Sequence, residues 1–216
     1  MKLSPRACVL MGLAVVLVLG LGQVGIWEMH RVQFRNRLRQ AVPRVRAEST
    51  RQLQMLTRAI ENYKSTLGMY PPDHLLDSNP TVVDSITNQL LYELLGTVYD
   101  QTNDAFTPIG FPRISAKLAK QFFNVTTFKN TSVHQELVKQ FIRSSDILAT
   151  MGVSQKPDVG VLAFSPNWEG IDPELLQEFP LVPWQYNCTA PVHNRGSYDL
   201  WVEFSILGSK IVIANW

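Results

Sequence analysis

Two adjoining stretches near the start of the chain decide its architecture. The first is ACVLMGLAVVLVLGLGQVGIW, Ala7–Trp27, 21 residues without a charge. The second begins directly after it and ends in LTRAIENYKSTLGMYPP, Leu56–Pro72. At about 1.5 Å per residue, an apolar helix of this length covers roughly 31 Å, the thickness of a bilayer core. Residues 1–27 therefore read as an uncleaved single-pass membrane anchor. Trp27 stands at its edge as an interfacial residue. Cleavage as a signal peptide would need small residues at the exit, and Gly20-Leu21-Gly22 fits that poorly.

Residues 28–68 read as an amphipathic stalk helix. Apolar residues recur at Phe34, Leu38, Ala41 and Val45, and again at Leu53, Leu56, Ile60, Tyr63 and Leu67. Steps of three and four keep them on one face. Phe34, Leu38, Leu53, Leu56, Ile60 and Tyr63 are the expected helix-assembly face, shared between packing of the head and contact with partner helices. Arg51, Arg58, Glu61 and Lys64 lie opposite. Pro43 removes a backbone donor and predicts a kink. Gly68 ends the helix, and Pro71-Pro72 prevent its resumption.

The remaining residues, 69–216, suffice for one globular head. Segment 74–158 reads as mostly helical. Val82, Val83, Ile86, Leu90, Leu91, Leu94 and Leu95 form an apolar face ended by Gly96, with further helices expected over 118–123 and 133–148. From Val159 the pattern turns to β. Val159–Phe164 reads as a buried strand, followed by turns at Pro166, Pro173, Pro180 and Pro183. Leu200, Val202, Phe204 and Ile206 alternate with Trp201, Glu203 and Ser205, which is the period of a strand. A Gly208-Ser209 turn predicts a hairpin of 200–207 with 210–216. In that register Ile206 faces Ile211, Phe204 faces Ile213 and Trp201 faces Trp216, with the apolar face on the stripe Leu53–Leu67. The fold class expected is α+β, a long N-terminal helix packed on a small antiparallel C-terminal sheet with an enlarged helical insert.

Charge is uneven. Residues 1–51 carry nine basic and two acidic side chains, whereas 52–216 carry eleven and sixteen. The basic part suits anionic lipid headgroups, and the acidic head argues against nucleic acid. The two cysteines, Cys8 and Cys188, give no disulfide or zinc spacing. His30, His74, His134 and His193 are far apart, and neither a Gly-x-Ser-x-Gly elbow nor a phosphate loop occurs. No catalytic site, cofactor or metal is expected.

Several short pieces, in order, resemble the pseudopilins of type II secretion, above all the major, G-type pseudopilin. The stalk end, with Tyr63-Lys64 before Gly68-Met69-Tyr70-Pro71, looks like that family's helix end. Leu90–Gly96 is similar to a helix of longer members. Pro183-Trp184-Gln185-Tyr186 resembles a shortened Pro-Trp-Gly-x-x-Tyr strand. Tyr198-Asp199-Leu200-Trp201 and the terminal Asn215-Trp216 match two further family stretches. The resemblance implies a pilin-like fold and a structural, non-enzymatic role. It implies packing of N-terminal helices into a periplasmic fibre that promotes protein export. It also implies an inner-membrane location with a periplasmic head, and as partners membrane lipids, other pseudopilins or secretion-system inner-membrane proteins, and copies of itself.

Three features depart from the family. The N-terminal segment has no Gly-Phe or Gly-Met peptidase site followed by an apolar run with Glu at the fifth position; Gly12 leads into Leu13–Leu17, and the first acid is Glu28. The Gly- and Asp-rich calcium loop is replaced by Leu207–Trp216, with Ile211, Val212 and Lys210 where carboxylates would be needed, so the calcium site looks lost. The arginines after the apolar segment, from Arg31 to Arg51, would by count alone keep the head cytoplasmic. A permanently anchored binding or adaptor protein with the same fold, which never polymerises, is the alternative.

Overall fold

The computed structural model describes residues 5–73, 89–156, 159–164 and 181–216, with side chains at 28–73, 89–147, 159–164 and 181–216. The fold is α+β, with a long N-terminal helix and three small sheets. Helix α1 covers Pro5–Leu67, and Pro43 lies inside it. The chain divides there into two compact units, Met1–Val42 and Pro43–Trp216. Among the described residues no helix is long and apolar enough to cross a membrane. The anchor read at Ala7–Trp27 lies outside the residues whose side chains are described.

In the second unit, α1 turns one face inward. Val45, Leu56, Ile60 and Tyr63 are fully buried and Leu53 nearly so. Leu67, the last residue of the expected stripe, is exposed, because the chain leaves the helix one residue later. Gly68 takes φ +79°, and its N–H bonds the Lys64 carbonyl at 2.8 Å. That closes the last turn in the left-handed conformation glycine adopts without penalty.

The expected helical insert is corrected in its described part. Helix α2 (Leu90–Leu95) ends at Gly96 as the pattern predicts, but strands follow at once. These are β1 (Thr97–Asp100), β2 (Ala105–Pro108) and β3 (Ile114–Ser115). Helix α3 (Ala116–Phe123) is capped by Ser115, which accepts from the Leu118 N–H at 3.2 Å, and ends at a left-handed Asn124. Strand β4 (Thr131–Ser132), a 3-10 turn (Gln135–Leu137) and α4 (Ser144–Thr150) stand where one helix over 133–148 was expected. Long-range bonds from Asn130 to Lys139 hold this stretch open, so tertiary contacts override its helical spacing. The residues 82–86 of the apolar face lie outside the described residues.

The first sheet runs β3-β2-β1-β4, antiparallel except for the parallel pair β1–β4. The second joins β5 (Met151–Lys156), β6 (Val159–Phe164) and β7 (Val182–Pro183). The third runs β10-β9-β8, with β8 Gln185–Asn187, β9 Asp199–Ile206 and β10 Ser209–Ala214. Thus β6 matches the expected strand, and three sheets replace the one expected. An aromatic core of Tyr92, Phe106, Phe123 and Phe128 fills the first layer; Tyr92 stacks on Phe128 with centroids 4.7 Å apart. Phe204 of β9 stacks on Phe164 of β6 at 5.2 Å, so there the hairpin covers the middle sheet rather than α1.

The hairpin forms with the expected faces but a different register. Phe204 pairs with Ile211, Val202 with Ile213 and Trp201 with Ala214. The turn is Leu207-Gly208, both at positive φ (52° and 78°), as a type I′ turn requires. The register is two residues from the expected one, and an even slip keeps every side chain on its face. Asn215 fixes it. Its N–H bonds the Leu200 carbonyl at 3.1 Å, its Oδ1 accepts from the Leu200 N–H at 2.9 Å, and its Nδ2 donates to the Tyr198 carbonyl at 3.0 Å.

Two glycines separate backbone strain from packing. At Gly68 an added Cβ meets nothing within 4 Å, so Gly68→Ala should cost only the left-handed conformation, about 1–2 kcal/mol. At Gly96, also at positive φ, a Cβ would lie 2.2 Å from Val138 Cγ1 and 2.9 Å from the Lys139 carbonyl. Gly96→Ala should therefore cost more than about 3 kcal/mol, strain and overpacking together. Denaturant unfolding of both variants checks this; equal losses would contradict the close approach at Gly96.

Candidate functional site

Most of the singled-out residues meet where α1 ends. After Gly68 the chain runs as Met69-Tyr70-Pro71-Pro72-Asp73, of which Tyr70, Pro71 and Asp73 are tied to the C-terminal region and Pro72 to Gln89. The Lys64 ammonium sits 4.1 Å from the Tyr70 ring centroid. The Tyr70 hydroxyl meets Ser197 Oγ at 3.1 Å, and its ring stands edge-on to Tyr198 at 5.0 Å. Tyr186 Oη donates to the Pro71 carbonyl at 2.9 Å. Gln89 Nε2 donates to the Pro72 carbonyl at 3.1 Å. The Asp73 carboxylate accepts from the N–H groups of Cys188 and Thr189 and from the Thr189 hydroxyl.

A second carboxylate organises the loop beyond β8. Asp199, buried at the start of β9, accepts from the N–H groups of Val192 (2.7 Å), His193 (3.0 Å) and Asn194 (2.8 Å). The loop at 190–196 is thereby wound around one side chain. The chain then closes on itself through Asn215 and Trp216. Trp216 stacks on His193 with centroids 4.0 Å apart and stands edge-on to Trp201 at 5.6 Å. Gly68, Tyr70, Pro71, Tyr186, Asp199, Trp201, Asn215 and Trp216 thus belong to one seam. Pro183 and Trp184 do not. Pro183 pairs with Ala163, and the fully buried Trp184 donates its N–H to the Leu162 carbonyl at 2.9 Å, which ties them to the middle sheet.

Burial shifts the titratable groups of the seam. Burial pushes the Tyr198 hydroxyl up to about 12, with Thr57 on α1 pulling the other way through a hydrogen bond. Burial also raises Tyr186. The Cys188 thiol is pushed up to about 11, first by burial and then by the charge of Asp73. A thiol so raised is not an activated nucleophile at neutral pH. Among the described residues no three His, Cys, Asp or Glu side chains come together as metal ligands.

A further carboxylate, which the sequence analysis passed over, lies at the centre. Glu93 in α2 is fully buried. Its Oε2 accepts from the Tyr63 hydroxyl of α1 at 2.8 Å and from the Asn130 N–H at 3.0 Å, and its Oε1 accepts from the Lys129 N–H at 2.9 Å. Asn130 Nδ2 returns a bond to the Glu93 carbonyl at 2.7 Å. Burial raises the Glu93 carboxyl, and these three donors oppose it. Tyr63 also packs against Phe141 at 4.9 Å.

The half of the expected helix-assembly face beyond Pro43 packs the head, the first of the two roles read for it. Leu53, Leu56, Ile60 and Tyr63 are buried in the same chain, so that half of the stripe is used by the head. Leu38 is also buried, and Phe34 is half-buried. No protein-family model, curated protein or solved structure matches the chain.

A double-mutant cycle tests the central carboxylate. Tyr63→Phe removes one donor and should cost about 1–2 kcal/mol. Glu93→Gln keeps one acceptor but turns an amide N–H₂ toward donors, and should cost about 2–4 kcal/mol. The two should couple by at least about 1 kcal/mol in denaturant unfolding. Strict additivity would show that the hydrogen bond between them contributes nothing.

Proposed function

We propose that this chain is a pseudopilin-like structural component of a type II secretion or related pilus-type system. In this reading Ala7–Trp27 anchors it in the inner membrane, with the head in the periplasm. There it contributes to a membrane-based fibre that promotes protein export. The observation that carries the reading is the seam. Tyr70 and Pro71, which resemble the pseudopilin stalk end, touch Tyr198 and Tyr186, which lie in C-terminal pieces that resemble the same family. Three pieces far apart in the sequence thus meet between the helix end, β8 and the entry to β9, an arrangement that supports a pilin-like fold.

A second reading has its own support. Leu53, Leu56, Ile60 and Tyr63 are occupied within the chain, and Ala7–Trp27 contains no acid to set helix registry in a fibre. Both favour a permanently anchored periplasmic adaptor of the same fold that does not polymerise.

Alkaline phosphatase fused after Trp216 tests what the two readings share. It should be active, with the fusion retained in the membrane after an alkaline wash. An inactive fusion would place the head in the cytoplasm, as the arginine count suggests, and would remove both. N-terminal sequencing of the membrane form then divides them. A shortened, methylated N-terminus is the outcome for the fibre component, and an intact Met1 is the outcome for the adaptor.

A further inference from the structure

The outward face of α1 in the second unit borders a groove of about 400 Å³. One wall is Arg51, Met55, Arg58 and Asn62 of the helix; the other is Phe141 and Arg143 of the segment leading into α4. Phe141 and Ile142 turn their N–H groups inward to the Leu94 carbonyl, at 2.9 and 3.3 Å, so this wall is fixed to the head. Three arginines, Arg51, Arg58 and Arg143, line the groove against one acid, Asp146, so its charge is net basic. Arg51 forks onto Glu48 at 2.6 and 2.9 Å, and Arg143 onto Asp146 at 3.1 Å twice. In both pairs, three residues apart, the guanidinium is exposed and the carboxylate half-buried, and such near-surface pairs contribute little. Arg58 is exposed and has no carboxylate partner among the described residues.

We propose that this groove binds an acidic, extended peptide segment of a partner protein. Arg51 and Arg58 are seven residues apart, about 10.5 Å along the helix. Extended peptide rises about 3.3 Å per residue, so carboxylates two to four residues apart reach both guanidiniums. Between the charges lie Met55 and Phe141, both half-buried, and Ala59, which is buried. They offer apolar seats for intervening side chains. The amides of Gln54, Asn62 and Gln140 also line the groove and can both donate to and accept from a peptide backbone. A phosphate headgroup needs donors alone, so mixed amides with apolar seats favour a peptide over lipid. The site does not depend on whether the chain forms a fibre or acts as an adaptor.

The test uses the full chain in detergent micelles and a fluorescein-labelled peptide of alternating aspartate and leucine, followed by anisotropy. Saturable binding should weaken as salt rises. It should fall at least about tenfold in Arg58→Glu. It should be unchanged in Lys210→Glu, which alters an exposed lysine of β10. A lysine-leucine peptide should not bind. Asn62→Asp, which adds repulsion at an exposed position, should weaken binding in the same direction and carries the test should Arg58→Glu melt below the parent. Equal binding by parent, Arg58→Glu and Asn62→Asp would overturn the proposal. So would a loss at Arg58 seen only with anionic vesicles, which would assign the groove to a headgroup. Self-association lost in Arg58→Glu without any peptide binding would assign it to a second copy and overturn it equally.

Discussion

A single buried carboxylate, Glu93, sets the terms for the second unit. Removing an ionised carboxyl from water costs several kcal/mol, and only well-placed donors offset that. Here one donor comes from the helix, Tyr63, and two from the backbone at Lys129 and Asn130. If any of the three is displaced, a buried group loses its partner. The end of α1, the short helix α2 and the approach to β4 must therefore be in place together. Asn130 extends the constraint by bonding Lys139 in both directions, and Gly96 has to be glycine because Val138 and Lys139 close over it.

The seam applies the same physics at the helix terminus. Asp73 and Asp199 are each satisfied by N–H groups of the chain between β8 and β9 or just beyond β8, and Asn215 completes the ladder that β10 leaves open. Three short polar side chains thus organise the C-terminal loops. The functional consequence follows from what these contacts use up. The apolar face of α1 beyond Pro43 is spent on the head, and its outward face, with Arg51 and Arg58, is left for solvent or a partner. What that face presents is mainly charge rather than an apolar stripe.

Much of this was legible in the residues. Period-two alternation over 200–206 identifies β9, because a half-buried strand must alternate, and Gly68 and Gly96 end their helices where the pattern says. The hairpin register was not legible. It depends on Asn215 bonding Leu200 and Tyr198 across the sheet and on Leu207 accepting a left-handed conformation, and neither leaves a periodic trace. Glu93 was hidden for a different reason. An acid in a Leu-rich helix ordinarily marks the solvent side, but α2 is six residues long and all six are buried, so it has no solvent side. An acid flanked directly by Leu90-Leu91-Tyr92 and Leu94-Leu95 was the one available signal. The arginine groove was invisible because periodicity reports which face of a helix is polar and says nothing of which distant loop lies beside it.

The end of α1 is part of the head rather than a stalk that precedes it. Native-state hydrogen exchange measures this directly. Amides of residues 53–66 should open with the same free energy as those of β9, and Glu93→Gln should lower both by the same amount. Residues 53–66 exchanging well ahead of β9, with a free energy that Glu93→Gln leaves unchanged, would contradict it.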